Sequence, residues 1–191
     1  MDTSPIIVNT LEKKEGIIMT SYASKSSWTT RQLCLAAAMT AVVFLATFVP
    51  RIPIPLGYAH LGDAAIFLMV LFIGRREMLF AACFGSALSD LLGGFPLWIV
   101  PTLVIKFFMA DIAWRFIRPD REEAASLPRM TVGFLAGSLW MSVAYTLFGA
   151  LLYDSLAAGL ASAPGLIAEG LLNTAVAVVA AGLLQKTLPH R

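Results

Sequence analysis

The sequence is poor in charged residues, and this scarcity limits what kind of protein it encodes. Only 14% of its 191 residues are charged, against about 25% in a typical soluble domain. By contrast, 58% of the residues are hydrophobic, and the mean hydropathy is +0.78. So few polar side chains cannot cover an apolar core in water. The composition therefore predicts an integral membrane protein, with the lipid bilayer as its solvent.

Cysteine and histidine are also scarce. Cys34 and Cys83 lie inside apolar runs, and His60 and His190 are the two histidines. Cysteines placed in this way form neither a disulfide framework nor a metal-ligand spacing, so we interpret them as small core residues. The sequence has no phosphate-binding glycine-lysine motif and no basic stripe with interleaved aromatics. No metal, no cofactor in this chain and no nucleic-acid partner are expected.

Six apolar runs predict six transmembrane helices, since a membrane-spanning helix needs about 20 apolar residues, with a range of about 17–25. The runs are residues 33–49, 58–74, 78–92, 95–117, 130–153 and 164–184. Three prolines between residues 50 and 55 end the first run, because proline fixes φ and lacks an N–H donor. A polar stretch at 118–129 and a loop of small residues at 154–163 separate the later runs.

Lysine and arginine predict the orientation of these helices. Twelve of the fourteen fall on one side: in the amino tail, between the second and third runs, at 115–129 and in the carboxyl tail. Arg51 is alone on the other side, and Lys106 lies within the membrane. Cytoplasmic loops are enriched in Lys and Arg, so both termini are predicted to be cytoplasmic. The predicted fold class is thus an all-α, six-transmembrane-helix bundle of the plasma membrane.

The predicted bundle occupies residues 31–188. Residues 1–30 are polar and of mixed charge, and they are predicted to form a disordered cytoplasmic tail. Residues 189–191 are predicted to form a second cytoplasmic tail.

Polar side chains inside the apolar runs mark a candidate site. An ionised group in hydrocarbon costs about 2.5–3.5 kcal/mol, so such groups face the protein interior. The topology places most of them in the outer half of the bundle, which predicts an outward-facing pocket for a small polar molecule. The alternative is a set of interhelical salt bridges, such as Asp63 or Asp90 with Lys106. The candidate substrate-binding residues are Tyr58, His60, Asp63, Asp90, Trp98, Lys106, Tyr145, Glu169 and Asn173.

Four further features of the sequence bear on the site or on helix packing, and three of them have two interpretations. Trp98 either stacks on a planar heterocycle or belongs to the interfacial aromatic belt. The loop at 50–56 is either a lid over the pocket or a connector on the membrane surface. Pro101 interrupts the fourth run and is expected to kink it. Ala37 and Ala41 are small residues four apart, which suits either internal helix packing or the docking of a partner.

Three motifs, in order, resemble a known family. Residues 58–67 (YAHLGDAAIF) resemble the "LGD" start of the second helix of energy-coupling-factor (ECF) transporter S components. Residues 85–96 (GSALSDLLGGFP) and 101–106 (PTLVIK) resemble the "GSALADLLxGYP…PxTLxIK" stretch of the same family. The resemblance covers residues 37–113 and is generic over the last two helices. Asp111 stands where small, glycine-containing stretches are commoner in the family.

The resemblance implies a subunit that binds a water-soluble vitamin or its precursor from outside the cell. It implies import through a transmembrane coupling subunit and two ATPase subunits, so that the partners hydrolyse ATP. It also implies that Ala37 and Ala41 match the coupling face. Relatives with these motifs are linked to the uptake of thiamine-precursor pyrimidine, pyridoxine or riboflavin.

Two other functions fit parts of the sequence. A self-sufficient secondary transporter, acting as a dimer, is compatible with the small size, although one Pro-interrupted span has no partner in the other half. An intramembrane enzyme would need a base within reach of Ser86 or Ser89, and His60 alone could supply it. We expect neither enzymatic activity nor a catalytic residue.

Overall fold

The computed structural model describes residues 28–117 and 125–187. The chain divides into an N-terminal unit, Met1–Leu33, and a compact unit, Cys34–Arg191. The elements are α1 (Thr30–Phe48), β1 (Ile52–Ile54), β2 (Gly57–Ala59), α2 (Gly62–Phe72), α3 (Arg75–Gly93), a 3₁₀ turn (Pro96–Trp98), α4 (Ile99–Ile117), α5 (Leu127–Leu152) and α6 (Leu156–Thr187). The predicted tail at 189–191 and nearly all of the predicted tail at 1–30 lie outside the described residues.

Among the described residues, four helical segments are long and apolar enough to cross a membrane, namely α1, the 3₁₀ turn with α4, α5 and α6. Helix α2 has 11 residues, which at about 1.5 Å per residue cover only about half of a bilayer core of about 30 Å. Helix α3 has 19 residues but carries Arg75, Arg76, Glu77 and Asp90. The all-α membrane class is confirmed. The count of six spans and the cytoplasmic placement of both termini stay predictions.

Helix α2 lies at the centre of the compact unit. It packs against α3, α4 and α6, while α5 packs between α4 and α6. Most of its residues are buried, and its Phe67 ring stacks on Phe134 of α5 with centroids 4.9 Å apart. A short helix with most of its residues buried is a core element. This explains why a run predicted to span residues 58–74 yields a helix of only 11 residues.

A β-hairpin replaces the predicted start of the second helix. Strands β1 and β2 pair antiparallel, with Ile52 opposite Ala59 and Ile54 opposite Gly57. Pro55 and Leu56 form the two-residue turn, where Leu56 has a φ of 65°. The prediction that residues 58–61 are helical is wrong, because Tyr58 and Ala59 belong to the paired strand. The backbone of the next two residues is bound by other elements: His60 by Glu169 and Asn173, and Leu61 by the Ala46 carbonyl.

The prediction of a loop at 154–163 is also wrong, because α6 begins at Leu156 and continues through Pro164. Leu and Ala dominate this stretch, and both are strong helix formers. Ser155 caps the helix by accepting a hydrogen bond from the Ala158 N–H at 3.2 Å. The chain turns just before it, where Asp154 has a φ of 48°.

Two predicted interruptions fall in first turns of helices instead. Pro101 is the third residue of α4, where an N–H would have no intrahelical partner, so it is tolerated without breaking the helix. Arg75, Arg76 and Glu77, which lie between the second and third predicted runs, form the first turn of α3. Gly74 precedes that turn, and its carbonyl accepts a hydrogen bond from the Met78 N–H at 3.0 Å.

The LGD motif requires a glycine at Gly62 because this residue lies very close to α1. A Cβ placed on Gly62 would overlap the Thr47 Oγ1 atom and come 3.3 Å from Nδ1 of His60. Both Gly62 and Thr47 are buried, so neither side of the contact can move into open space. The motif glycine therefore sets how closely the start of α2 approaches α1.

We expect Gly62→Ala to lower the free energy of unfolding by about 1–3 kcal/mol, because it overpacks a filled core. Thr47→Ala in the same chain should recover most of this loss. Gly57→Ala is the control, since a Cβ there meets nothing within 4 Å. Thermal unfolding in detergent is measured for the unchanged protein and for these three variants. Equal midpoints for Gly62→Ala and Gly57→Ala would contradict the prediction.

Candidate functional site

A cavity lies at the N-terminal end of α2, between the hairpin, the 3₁₀ turn and helices α3 to α6. About 510 Å³ of empty space lies within it, including the space at its open mouth. The lining residues are Ile54, Pro55, Leu56, Gly57, Tyr58, His60, Asp90, Phe95, Trp98, Lys106, Tyr145, Ser162, Leu166 and Glu169.

The hairpin forms one wall of this cavity. A Cβ added at Gly149 of α5 would lie 3.1 Å from the Leu56 side chain. A Cβ at Gly165 of α6 would lie 2.9 Å from Ile54. The hairpin therefore packs closely on two helices through small residues. Of the two interpretations of the loop at 50–56, its position fits a cover over the cavity.

Arg51 attaches the hairpin to the end of α3. Its Nη2 donates to the Ser89 carbonyl at 3.0 Å and to Ser89 Oγ at 3.2 Å. Its guanidinium stacks over the rings of Phe48, at 4.1 Å, and Tyr58, at 4.3 Å. A cation at the carboxyl end of a helix is favoured by the partial negative charge of the terminal carbonyls.

Tyr58 connects the hairpin to the first acidic group of the cavity. Its hydroxyl donates to Oδ1 of Asp90 at 3.0 Å. Burial, together with the negative charge of Asp90, raises the pKa of Tyr58 to about 12. The hydroxyl therefore keeps its proton at physiological pH and remains a donor.

Lys106 and Asp63 form a buried ion pair between α4 and α2. Each side chain is only 1% exposed. The Lys106 ammonium also lies 5.4 Å from the centre of the Tyr145 ring, and the Tyr145 hydroxyl is hydrogen-bonded to Thr102 at 3.0 Å. For this pair the interhelical salt bridge considered in the sequence is present. Asp90 is not part of it and bonds to Tyr58 instead.

Two residues of α6 hold the segment that enters α2. Asn173 donates to the His60 carbonyl at 2.7 Å and accepts from the Ala64 N–H at 2.8 Å. Glu169 Oε1 accepts from the His60 N–H at 3.2 Å and lies 3.0 Å from Nδ1 of the same residue. Burial, with the nearby Lys106 ammonium, lowers the pKa of His60 to about 4. His60 is therefore neutral at physiological pH.

Trp98 belongs to the cavity wall, which answers one of the open questions from the sequence. It is 6% exposed, and its ring centroid lies 5.6 Å from that of Tyr145 and 6.3 Å from that of Tyr153. A belt residue would present its ring outward, so the interfacial-belt interpretation of Trp98 does not fit this position.

The structure brings seven of the nine candidate residues to the cavity surface, whereas Asp63 and Asn173 lie behind it as partners of Lys106 and His60. The prediction did not include Ser162 or Leu166, which also line the cavity. These two precede Glu169 and Asn173 at helical spacing, so they share one face of α6. A prediction that extended α6 to residue 156 would have found Ser162.

Asp111 lies outside the cavity and has an ionic role. Its carboxylate bonds to Nη2 of Arg75 at 2.6 Å and to Nε of Arg115 at 2.7 Å. The side chains of Arg75 and Arg115 are 42% and 70% exposed. The pair with Arg75 links the start of α3 to α4.

Ala37 and Ala41 are both exposed on α1. Among the described residues they are therefore not used for internal helix packing. The buried side of α1 in the compact unit is formed instead by Ala36, Val43 and Thr47.

Within residues 28–117 and 125–187, the structure gives no support to a serine hydrolase site or a metal site. Ser86 is buried and its Oγ has no hydrogen-bond partner within the described ranges, while His60 Nδ1 lies beside Gly62 and Glu169. In the part of the chain that the structure describes, no three His, Cys, Asp or Glu side chains are placed to hold a metal ion.

Residues 27–188 match the model of the ECF-type riboflavin transporter S component family. The chain belongs to this family. The match extends over α5 and α6, where the motifs alone were generic. A relative from Pyrococcus woesei, described as an uncharacterized protein in the gap 3′ region, is 36% identical over 110 residues, covering 56% of this chain and 74% of the relative. This S component is thus a substrate-binding subunit of a vitamin-type membrane transporter, and its family is not one of enzymes.

We expect Lys106→Met to destabilise the S component by about 3–5 kcal/mol, because it leaves Asp63 as an unpaired buried charge. Replacing both residues together, Lys106→Met with Asp63→Leu, should recover most of this loss. Denaturant unfolding in detergent micelles measures the effect.

Arg115→Gln is the control for this prediction, since it breaks an ion pair whose arginine is 70% exposed and should cost less than about 1 kcal/mol. A Lys106→Met variant as stable as Arg115→Gln would show that the ion pair does not hold α2 and α4 together.

Proposed function

We propose that this S component captures a water-soluble vitamin or vitamin precursor of the riboflavin, thiamine-pyrimidine or pyridoxine type from outside the cell. The cavity beneath the hairpin is the observation that carries this proposal, because it combines ring-stacking side chains with buried ionisable groups. Delivery to the cytoplasm requires a transmembrane coupling subunit and two ATPase subunits. The protein lies in the plasma membrane with both termini in the cytoplasm.

The lining chemistry suits a planar, polar ring. Tyr58, Phe95, Trp98 and Tyr145 offer aromatic faces, against which a heterocycle gains stacking energy. Asp90, Lys106 and Glu169 place hydrogen-bonding groups among them. A mostly apolar cavity with a few polar groups is typical of small-molecule sites, where the polar groups fix orientation and specificity.

The exposed alanines of α1 support docking of the coupling subunit. Ala37 and Ala41 present small side chains four residues apart, and both are free of internal contacts that would bury them. Small residues at this spacing let a second helix approach closely in a membrane.

Glu169→Ala and Lys106→Ala should each weaken binding of the vitamin about ten- to a hundredfold, as expected for loss of a charged hydrogen bond worth about 1.5–3 kcal/mol. Quenching of tryptophan fluorescence measures binding, because Trp98 lines the cavity. A panel of B vitamins and their precursors, titrated without ATP, identifies the ligand. Asp111→Ala is the control, since Asp111 pairs with Arg75 and Arg115 away from the cavity lining.

Both site variants must be folded for this comparison. Each must therefore show a circular dichroism spectrum close to that of the unchanged protein before titration. Binding that is unchanged in folded Glu169→Ala and Lys106→Ala would place the vitamin elsewhere.

Uptake into proteoliposomes should occur only when the coupling subunit, both ATPases and ATP are present with this chain. The S component alone should bind labelled vitamin without accumulating it. Vectorial uptake by the chain alone would contradict the proposal and favour the self-sufficient secondary transporter.

A further inference from the structure

A group of arginines lies at the end of the bundle opposite the cavity. Helix α3 begins there with Arg75 and Arg76, and at about 1.5 Å per residue the length of helix from Arg75 to Asp90 at the cavity is about 22 Å. Helix α4 ends there with Arg115 in its last turn, and α5 begins there with Arg129 in its first. We call Arg75, Arg76, Arg115 and Arg129 the arginine cluster.

Asp111 holds two members of this cluster side by side. Its Oδ1 accepts from Nε of Arg75 at 2.8 Å and lies 2.6 Å from Nη2 of the same residue, and its Oδ2 accepts from Nε of Arg115 at 2.7 Å. Asp111 is buried, whereas both arginine side chains are exposed. Among the described residues, no hydrogen bond uses Nη1 of Arg75 or either Nη atom of Arg115, so these donors remain for a ligand.

The acidic groups at this end do not neutralise the arginine cluster. Within the described ranges they are Asp111 and Glu77, against four arginines. Glu77 is buried, and a Cβ added at Gly74 would overlap its carboxylate, so this group lies against the start of its own helix, where the helix dipole favours it. Two arginines on one carboxylate leave Arg75, Asp111 and Arg115 with a single positive charge, which matches the single negative charge of a phosphodiester.

The surface that leads from Arg115 toward the cavity end of α4 is apolar. Val104, Phe108 and Arg115 recur at helical spacing, so they share one face of α4, and all three are exposed. The Phe108 ring is held by an edge contact with Trp140, with centroids 5.5 Å apart. This face therefore combines a cationic group at the end of the bundle with an apolar stripe below it, as a phospholipid combines a headgroup with acyl chains.

We propose that Arg75 and Arg115, held by Asp111, bind the phosphodiester of an anionic phospholipid whose acyl chain lies along Phe108 and Val104. Arginine binds phosphate oxygens through paired N–H groups, and a planar fork that is already oriented loses little freedom on binding. Asp111 is the positioning residue. In the orientation predicted from the sequence, this end faces the cytoplasmic leaflet, whose surface potential is negative.

An acidic segment of a partner protein would also suit the arginines. It would leave the apolar stripe of Val104 and Phe108 uncovered, however, whereas a phospholipid covers both parts of the surface. The combination of charge and apolar stripe therefore favours the lipid.

The test measures lipid binding to the full chain, purified in a neutral detergent. Native mass spectrometry gives the dissociation constants of phosphatidylglycerol and of zwitterionic phosphatidylcholine with the same acyl chains. Phosphatidylglycerol should bind about tenfold more tightly, because basic side chains at a membrane surface attract anionic headgroups. Equal dissociation constants would overturn the proposal.

Arg115→Gln should weaken binding of phosphatidylglycerol about tenfold, because it removes one of the two guanidiniums. Arg31→Gln is the matched control, since it makes the same change at an exposed arginine of α1 that is not a member of the cluster. Its dissociation constant should stay within about twofold of that of the unchanged protein. An equal loss of affinity in both variants would show that the lipid responds to net charge alone.

Asp111→Asn distinguishes a positioned site from general attraction by positive charge. The change makes this end more positive, so attraction by net charge alone predicts tighter binding of phosphatidylglycerol. Loss of positioning predicts binding about tenfold weaker, because the charged bonds that hold both guanidiniums are lost. Binding that is unchanged or tighter in the folded variant overturns the role of Asp111.

A second variant keeps this test decisive if Asp111→Asn does not fold. Arg75→Lys with Arg115→Lys leaves the net charge unchanged but removes both planar forks. It should also weaken binding of phosphatidylglycerol about tenfold, and unchanged binding would overturn the proposal.

Two soluble probes distinguish the lipid from other anionic ligands. Inorganic phosphate and a hexaglutamate peptide, each added at the concentration of the lipid, should not displace phosphatidylglycerol, because neither covers the apolar stripe. Displacement by inorganic phosphate would assign the site to a free anion. Displacement by hexaglutamate would assign it to an acidic partner protein, and either result overturns the proposal.

Discussion

The buried ion pair between Lys106 and Asp63 is the contact on which the arrangement of the cavity depends. Both side chains are almost fully buried, so neither charge can remain there without the other. The pair joins α4 to the first turn of α2, where a carboxylate is also favoured by the helix dipole. Because Lys106 lines the cavity, the same contact that fixes the central helix also fixes one wall of the site.

The segment between the hairpin and α2 is held from a second direction. Asn173 and Glu169 of α6 bind the backbone of His60, and Asn173 also binds Ala64. Helix α6, together with Lys106 of α4, therefore holds the five consecutive residues 60–64 in position. Arg51 then attaches the hairpin to α3. The base of the cavity includes the fully buried Lys106–Asp63 and Asn173–Ala64 contacts, whereas the hydrogen bonds that attach the cover are part-buried.

The sequence predicted the polar contacts better than the backbone. Ionisable groups in apolar helices must lie inside, so Asp90, Lys106 and Glu169 could be assigned to a site from their cost in lipid alone. The hairpin could not be predicted, because two strands of three residues are too short to show an alternating pattern. The start of α6 was missed because its small residues resemble a loop, whereas Ser155 caps a continuous helix there.

The shortness of α2 gives the cavity its place in the bundle. Irregular backbone within a membrane protein is tolerated where it is buried in protein or lines a cavity, because its polar groups must be satisfied. The hairpin meets this condition through its own strand pairing, and the segment after it does so through Glu169 and Asn173, which bind the backbone of His60. Residues that a longer helix would use to continue α2 instead run along the cavity wall, at Tyr58 and His60. Extending α2 backward by two turns would thus remove from the cavity the hairpin that covers it, so the cavity requires a short central helix.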